Sequence, residues 1–343
     1  MAPSTSLREI GVDSHATIYD VARLAGVATS TVSRALSHPG RVSFQTAAHV
    51  RQVADRLSYR AMTIEPTPQR RRTLMLAMLV ADLTNPVFHG MIRGAKRTTA
   101  HAGHTLLILE TRGSEHAERD AVKRVLPAVD GVILTSSRMS DGEVRDVAKQ
   151  VPLVTVDRLV GQVTAIMSDN VKAMKVATEH LMTSGVRAIT YLAGPVGSWL
   201  DGTRWLALRQ ACVELDVNVR RIGPLPPSAH GGALAVEGWL RHPTLGVIAY
   251  TDSVAVGFIR AVRLAGLRVP EDVNVIGFDD SVKSALIEPR LTTIAPPVAR
   301  LGSAAARYLL RGSQSVGDAG LLTLPARLVV RETTHGRQFA SAE

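Results

Sequence analysis

From Leu74 onward, apolar runs of about five to eight residues alternate with amphipathic stretches of about 15 to 20 residues at helical spacing. Continuous apolar strands that alternate with helices are typical of parallel sheets, because such sheets are covered by helices on both faces. The alternation occurs in two series, before and after about residue 168. The pattern therefore predicts two doubly wound parallel-sheet α/β lobes that face each other across a cleft.

The first sixty residues show a different pattern, with apolar positions at helical spacing and no strand-like alternation. Thr17 can cap a first helix that ends at Gly26, and a second helix starts near Thr29. The inward-facing positions of these two helices are Ile18, Val21, Ala22, Ala25, Val32, Ala35 and Leu36. A third helix is predicted from about Gln45 to Leu57. This arrangement is an all-α helix-turn-helix domain.

A linker separates the two regions. The segment 63–73 (TIEPTPQRRRT) contains two prolines and three consecutive arginines and has no apolar period. The predicted organisation is therefore a tail at 1–16, a helix-turn-helix domain at 17–62, a linker at 63–73, a core at 74–332 and a tail at 333–343.

The charge of the chain points to a polyanionic partner. Its 40 Lys and Arg residues exceed its 30 Asp and Glu residues, which gives a net charge of +10 at pH 7. Residues 1–72 contain ten arginines and five acidic residues, so this short region holds half of the surplus. Nucleic acid is the first partner to consider for the helix-turn-helix domain and the linker.

Other features of the composition exclude several classes of protein. The single cysteine, Cys212, cannot form an internal disulfide, and no Cys pair at zinc-ligand spacing occurs. The first seventeen residues lack the apolar stretch of a signal peptide, and the longest apolar run, 74–81, is too short to span a membrane. We expect a cytoplasmic protein with no membrane contact, no metal and no cofactor.

Polar or small residues close the predicted strands. They are Asp82, Glu110, Ser136, Asp157, Gly194, Asp252 and Asp279. In open α/β sheets ligands bind outside the carboxyl ends of the strands, so these residues are candidates for a binding site. An Asp in this position can instead cap the next helix or close a turn. Only the convergence of several of them would make a site.

Two sets of motifs together resemble the lactose-repressor (LacI/GalR) family. The headpiece of that family resembles TIYDVARLAGVATSTVSRALS (17–37), RVSFQT (41–46) and LSY (57–59). Its regulatory core resembles, in order and spacing, NPVF (85–88), VDG (129–131), VTVDR (154–158), SDN (168–170), VPEDVNVIGFDD (269–280) and LTTI (291–294). The resemblance implies a helix-turn-helix headpiece and a periplasmic-binding-protein-like core whose lobes are joined by three crossovers. Lobe one would comprise about 74–168 and 297–322, and lobe two about 169–296 and 323–332.

The resemblance also implies which residues contact DNA. Thr29, Ser30 and Arg34 would face base edges, and only Arg34 is long enough for a bidentate contact to guanine. Positions that hold the phosphate backbone, where contacts set register without reading sequence, are matched by Tyr19, Thr31, Ser33, Ser43 and Thr46, and Arg41 can add charge there. The full set is Thr17, Tyr19, Thr29, Ser30, Thr31, Ser33, Arg34, Ser37, Arg41, Ser43, Thr46 and Tyr59.

The sequence departs from the family in three places. Ala47 and His49 replace basic residues that are common early in the third helix, which weakens phosphate contact. Ala28 replaces the serine usual at the start of the recognition helix, so a side-chain cap is missing. In the hinge, Pro68 stands at the position of the leucine that enters the minor groove in the family, and Pro66 lies nearby. Because proline disfavours a continuous helix, we expect no leucine wedge and weaker bending of the DNA. The arginines at 70–72 either compensate for the missing leucine by binding phosphates or a narrow minor groove, or form a solvated run of charges.

The same resemblance implies an effector site in the cleft. Residues at effector-contacting or cleft-edge positions are Phe88, Asp157, Ser198, Arg204, Thr251, Asp252 and Asp279. Arg204 and Asp279 suit a polyhydroxylated ligand, since guanidinium and carboxylate groups hold paired hydroxyls. Phe88 or Trp199 could stack on a sugar face, although Trp199 and Trp205 are also typical packing residues.

We therefore expect a ligand-responsive transcriptional regulator, a repressor that binds a palindromic double-stranded DNA operator as a homodimer, with a sugar or sugar derivative as effector. Two alternatives remain open at this point: a nucleoside or other metabolite as effector, and a small-molecule-binding protein without DNA function. An enzyme is not expected, because no GxSxG, GxxxxGK[ST], HExxH or GxGxxG motif occurs.

Overall fold

The computed structural model describes residues 17–37, 42–57, 72–311 and 320–335. The chain divides into two units, Met1–Arg71 and Arg72–Glu343. The first unit contains the predicted helix-turn-helix domain, and the second contains both predicted lobes. None of the described helices is long and apolar enough to cross a membrane.

The first unit is built from three helices, α1 (Ile18–Ala25), α2 (Thr29–Ser37) and α3 (Phe44–Arg56). Gly26 ends α1 with a φ of 65°, a left-handed conformation that glycine adopts without steric cost and that turns the chain into α2. The three helices share one small apolar core, in which Val21, Val32 and Val50 are fully buried. The predicted helix-turn-helix and its third helix are confirmed.

The second unit alternates strands and helices over nearly its whole length. Its elements are β1 (Met75–Val80), α4 (Pro86–His101), β2 (Thr105–Glu110), α5 (Glu115–Val125), β3 (Gly131–Thr135), α6 (Asp141–Ala148), β4 (Leu153–Val156), β5 (Thr164–Ser168), α7 (Asn170–Thr183), β6 (Ala188–Leu192), α8 (Trp199–Glu214), β7 (Asn218–Ile222), α9 (Ala229–Leu240), β8 (Gly246–Ala249), α10 (Asp252–Leu264), β9 (Asn274–Phe278), α11 (Val282–Leu286), β10 (Thr292–Ala295), α12 (Val298–Leu310), β11 (Leu321–Leu324) and β12 (Arg327–Val329).

The strands form two six-stranded sheets, one in each lobe. The strand order is β11-β5-β4-β3-β1-β2 in lobe one and β12-β10-β9-β8-β6-β7 in lobe two. All neighbours in the first sheet are parallel. The second sheet is parallel except for β12, which pairs antiparallel with β10 at the sheet edge. The predicted pair of doubly wound lobes is confirmed, with one antiparallel edge strand that the hydrophobic pattern does not reveal.

The chain passes between the lobes three times, after β5, after β10 and after β11. The last crossing differs from the expected boundary, because β11 pairs with β5 as far as Leu324, two residues beyond 322. The expected tail from 333 also needs correction, since Thr333 and Thr334 are buried in lobe two. The Thr333 hydroxyl donates to Val275 O (2.7 Å) and accepts from Thr292 N (2.8 Å), so it holds the starts of β9 and β10 together.

Candidate functional site

The headpiece presents a polar face on its first two helices. Tyr19 on α1 is 73% exposed, and Ser30, Ser33 and Arg34 on α2 are exposed as well. Thr29 and Thr31 lie at the half-buried margin of the same helix. Apart from Tyr19 and Arg34 these side chains are short and carry hydroxyl groups, so the face can approach base edges closely and offers one long bidentate donor.

Three of the expected contact residues take part in helix caps or their first turns. The Asp20 carboxylate accepts hydrogen bonds from the backbone nitrogen (2.9 Å) and hydroxyl (2.6 Å) of Thr17, which lower the pKa of Asp20. Ser43 precedes α3, and its hydroxyl accepts from Thr46 N (3.2 Å) and lies 2.7 Å from the Thr46 hydroxyl. These contacts fix the starts of α1 and α3. Ala28 precedes α2 and has no side-chain acceptor, as expected.

Part of the predicted DNA-binding set cannot be placed. Arg41, Tyr59 and the hinge with Pro66 and Pro68 lie outside the described residues, as does the side chain of Ser37. Arg72 is described and exposed. The prediction that the hinge inserts no leucine wedge therefore stays a prediction.

A cavity of about 820 Å³ lies between the two lobes, at the carboxyl ends of their strands. Six of the seven expected effector residues line it, namely Phe88, Asp157, Ser198, Arg204, Thr251 and Asp279. Phe88 lies in the first turn of α4 and Asp157 directly follows β4, both in lobe one. The other four belong to lobe two, so closure of the lobes would bring the two groups onto one ligand.

Arg204 is the central cation of the cavity. Its side chain reaches in from α8 and is almost fully buried, with 3% of the residue exposed. One terminal nitrogen donates to Tyr250 O (2.5 Å), and the other lies 3.4 Å from Asp279 Oδ1. The guanidinium carbon lies 3.5 Å from the ring centroid of Phe278, a cation–π contact. Arg204 Nε is buried and has no hydrogen-bond partner among the described residues.

Two carboxylates accompany this arginine. Burial raises the pKa of Asp157, although a hydrogen bond from Ser168 N (2.8 Å) and the charge of Arg204 oppose the shift. Burial also raises the pKa of Asp279 well above its ordinary value, against the effect of Arg204 and with further contributions from Asp252 and Asp157. Both have positive φ angles, 54° for Asp157 and 124° for Asp279, a strained backbone that tends to occur at functional sites.

Asp252 does not lie where we expected it. It is absent from the cavity lining, and only 1% of the residue is exposed. Its Oδ1 accepts from the Thr293 hydroxyl and its Oδ2 from Ser281 N, both at 2.6 Å. Because Oδ2 holds the loop that follows β9 and Oδ1 holds β10, Asp252 fixes the segment that carries Asp279 without facing the cavity. The expectation that Asp252 lies at the cleft edge is corrected accordingly.

Sequence reasoning missed other residues of the cavity wall. Tyr250 is buried beside Arg204 and lies 3.2 Å, hydroxyl to hydroxyl, from Ser198. Its ring fits against Gly194, where a Cβ would lie 2.8 Å from the ring. Arg138 lines the cavity from the loop after β3, a segment that carries no motif. Of the two tryptophans considered above, Trp199 lines the cavity. Trp205 is instead a packing residue, because its ring stacks on that of Tyr191 with 5.7 Å between the ring centroids.

Comparisons with known proteins agree with this arrangement. Residues 17–61 match the family model described as bacterial regulatory proteins, lacI family, and residues 178–334 match a periplasmic binding protein-like domain. The ribose operon repressor of Halalkalibacterium halodurans is 30% identical over 329 residues, which cover 93% of this chain and 97% of that protein. The chain belongs to the lacI family of bacterial regulatory proteins.

Solved structures of family members share the fold over most of the chain. The lac repressor dimer bound to its operator and the anti-inducer ONPF aligns with a TM-score of 0.70 and 27% identity, covering 94% of this chain and 99% of that chain. The transcriptional regulator CelR in complex with cellobiose aligns with a TM-score of 0.69 and 27% identity, covering 93% and 99%. The chain is therefore a ligand-responsive DNA-binding transcriptional regulator, and its homologues are transcriptional repressors.

Proposed function

We propose that this regulator binds a palindromic operator as a homodimer and that a sugar or sugar derivative in the cleft controls this binding. The observation that carries the effector class is the group formed by Arg204, Asp157 and Asp279 in the wall of the cavity. Sugar hydroxyls both donate and accept hydrogen bonds, so they need carboxylate acceptors and guanidinium donors side by side. The guanidinium group of Arg204 brings donors to this wall, and the two carboxylates offer acceptors.

The aromatic residues of the wall support the same class of ligand. Phe88 in lobe one and Trp199 in lobe two both line the cavity and can pack against the apolar face of a sugar ring. Two similar proteins are also connected with sugars: CelR is solved in complex with cellobiose, and another relative is a ribose operon repressor.

For the DNA contact we propose that α2 reads base edges through Thr29, Ser30 and Arg34. The remaining predicted residues of the headpiece would hold the phosphate backbone. A single headpiece reads few bases, and two-fold symmetry of a dimer matches two half-sites, as in the operator complex of the lac repressor dimer. Operator DNA lies in the bacterial cytoplasm, where we infer that the regulator acts.

The mechanism follows from the two-lobed core. An effector that contacts residues of both lobes binds the closed arrangement better than an open one, so it shifts the population of the two. Across a dimer, such a shift changes the spacing of the headpieces and thereby the affinity for the operator. The sign of the response depends on which arrangement matches the operator spacing.

The test begins with genomic fragments selected by the purified regulator, which supply an operator. Fluorescence anisotropy then measures operator affinity with and without each member of a panel of mono- and disaccharides and nucleosides. We expect a sugar to change the affinity in the wild type and to have no effect in Asp279→Ala, whose operator affinity without sugar stays the same. A response to nucleosides alone would contradict the sugar class, and a retained response in Asp279→Ala would place the pocket elsewhere.

A further inference from the structure

A hydrogen bond joins the two lobes directly across the rim of the cavity. Arg138 lies in lobe one, on the loop between β3 and α6, and Val196 lies in lobe two, between β6 and α8. A terminal guanidinium nitrogen of Arg138 donates to Val196 O at 2.9 Å. Arg138 and the neighbours of Val196, Pro195 and Ser198, line the cavity. The bond therefore closes one side of the proposed effector site with a side chain from the opposite lobe.

The lobe-one end of this bond has a firm anchor. Arg138 N donates to Glu118 Oε2 at 2.7 Å, and Glu118 is a carboxylate of α5 with only 2% of the residue exposed. Burial raises the pKa of Glu118, although hydrogen bonds from Ser137 and Arg138 oppose the shift. Because the anchor uses the backbone of Arg138, the loop keeps it when the side chain is changed.

The lobe-two end is shaped to receive the guanidinium group. Gly197 has a φ of 70°, and a Cβ at this position would lie 3.3 Å from Arg138 Nη1. Glycine therefore permits both the left-handed backbone and the close approach. The next residue, Ser198, caps α8, because its hydroxyl accepts from Asp201 N, and this fixes the end of the loop.

The hydrogen bond lies at a distance from the crossovers about which the lobes would rotate. Two of the three crossovers leave lobe one from β5 and β11, at one edge of its sheet, whereas Arg138 follows β3. Strands β4 and β5 separate β3 from the edge strand β11, which places the end of β3 about 14 Å from that edge at the usual strand spacing. A rotation of the lobes about crossovers at the edge would separate Arg138 from Val196.

We propose that Arg138 is a positioning residue of the effector cleft, whose hydrogen bond to Val196 O holds the two lobes at the spacing in which both walls face one ligand. The inference rests on the proposed function only in taking the cavity as the effector site. Its core claim concerns the spacing of the lobes without ligand, so it can be tested before any effector is known.

The test measures the distance between the lobes in the full chain by electron paramagnetic resonance, with no sugar present. Spin labels are attached at Lys149→Cys at the end of α6 and Leu206→Cys on α8, whose wild-type residues are exposed. Cys212 stays unlabelled, because it is buried and burial raises its pKa to about 11.

We expect Arg138→Ala to increase the ratio of long to short interlobe distances about tenfold, as the loss of one charged hydrogen bond implies. Val196→Ala is the matched control and should leave the distribution unchanged, because the acceptor is a backbone carbonyl. Arg138→Lys, which keeps a charged donor, should give a ratio between those of Arg138→Ala and the wild type.

A distribution in Arg138→Ala that equals the wild type would overturn the inference. A panel in which no sugar acts would overturn the proposed effector class and leave this inference standing.

Discussion

The headpiece and the cleft place their charged and polar groups in opposite environments. On the headpiece Tyr19, Ser30 and Arg34 are exposed to water, whereas the side chains of Arg204, Asp157 and Asp279 in the cleft are almost entirely buried. An exposed charge costs little to hold and is available to a large polyanion, while a buried charge is costly unless its partners are in place. Changes in the headpiece should therefore alter DNA binding with little effect on folding, and changes in the cleft should alter both function and stability.

The largest effect is expected from the central cation of the cleft. Arg204→Ala leaves Asp279 and Asp157 buried without their positive neighbour, which should lower the free energy of unfolding of the core by about 3 to 5 kcal/mol. Urea unfolding of the full chain measures the loss. Arg209→Ala is the control, since Arg209 is an exposed arginine on the same helix. An equal loss of unfolding free energy in the two variants would contradict the view that the buried arginine stabilises the core more than an exposed one does.

The second prediction concerns the pH dependence of the core. Burial raises the pKa of Asp252 to about 6 from an ordinary 3.8, despite hydrogen bonds from Thr293 and Ser281. The folded state thus holds this proton to higher pH than the unfolded state does. The protonated Asp252 therefore adds up to about 3 kcal/mol to the free energy of unfolding. This contribution is fully present below pH 3.8 and is lost as the pH rises through about 6.

The measurement compares wild type with Asp252→Asn, whose amide does not titrate, by urea unfolding at several pH values from 4 to 7.5. The stability of the wild type relative to the variant should fall as the pH rises. Asp146→Asn is the control, because Asp146 is exposed and Lys149 lowers its pKa. A difference between wild type and Asp252→Asn that stays constant over this range would show that Asp252 does not carry the shifted proton.

The third prediction tests the headpiece side of the comparison. Arg34→Ala should remove the preference for one base pair in each half-site, at a cost of about 1 to 3 kcal/mol in discrimination, and should leave weaker, salt-dependent binding. Core stability should not change, since Arg34 lies in the other unit. Arg51→Ala, at another exposed headpiece arginine, should keep the preference. Binding selections with randomised half-sites measure both variants, and unchanged selectivity in Arg34→Ala would reject its role.

The same contrast explains what the sequence could predict. The polar face of α2 and its buried side, with Val32 and Ala35, follow from helical periodicity within one short segment. The cleft depends on where separate loops meet. Strand ends and the family resemblance identify Asp157 and Asp279, but they do not show that Asp252 turns away toward Thr293.

Arg138 and Tyr250 were missed for a related reason. Arg138 reaches the cavity because Glu118 holds its loop, and Tyr250 fits there because Gly194 leaves room for its ring. Both conditions are set by residues distant in sequence, which no local pattern records. The ends of the lobes show the same limit, since burial of Thr333 depends on its pairing with Val275 and Thr292.

The smallest predicted effect separates a capping role from a DNA-contact role in the headpiece. Ser43 caps α3 by accepting from Thr46 N, so Ser43→Ala should lower the local stability of α3 by about 1 kcal/mol in the absence of DNA. Ser30→Ala is the matched control, because Ser30 is exposed within α2, where alanine favours the helix.

Amide hydrogen exchange of α3 in the full chain reports local opening without requiring the headpiece to unfold separately from the core. We expect protection of the first turns of α3 to fall about fivefold in Ser43→Ala and to stay at the wild-type level in Ser30→Ala. Equal protection in both variants would mean that the hydroxyl of Ser43 contributes nothing to the free headpiece. Any role of Ser43 would then have to come from phosphate contact alone, and Ser43→Ala would weaken operator binding at every sequence without loosening the helix.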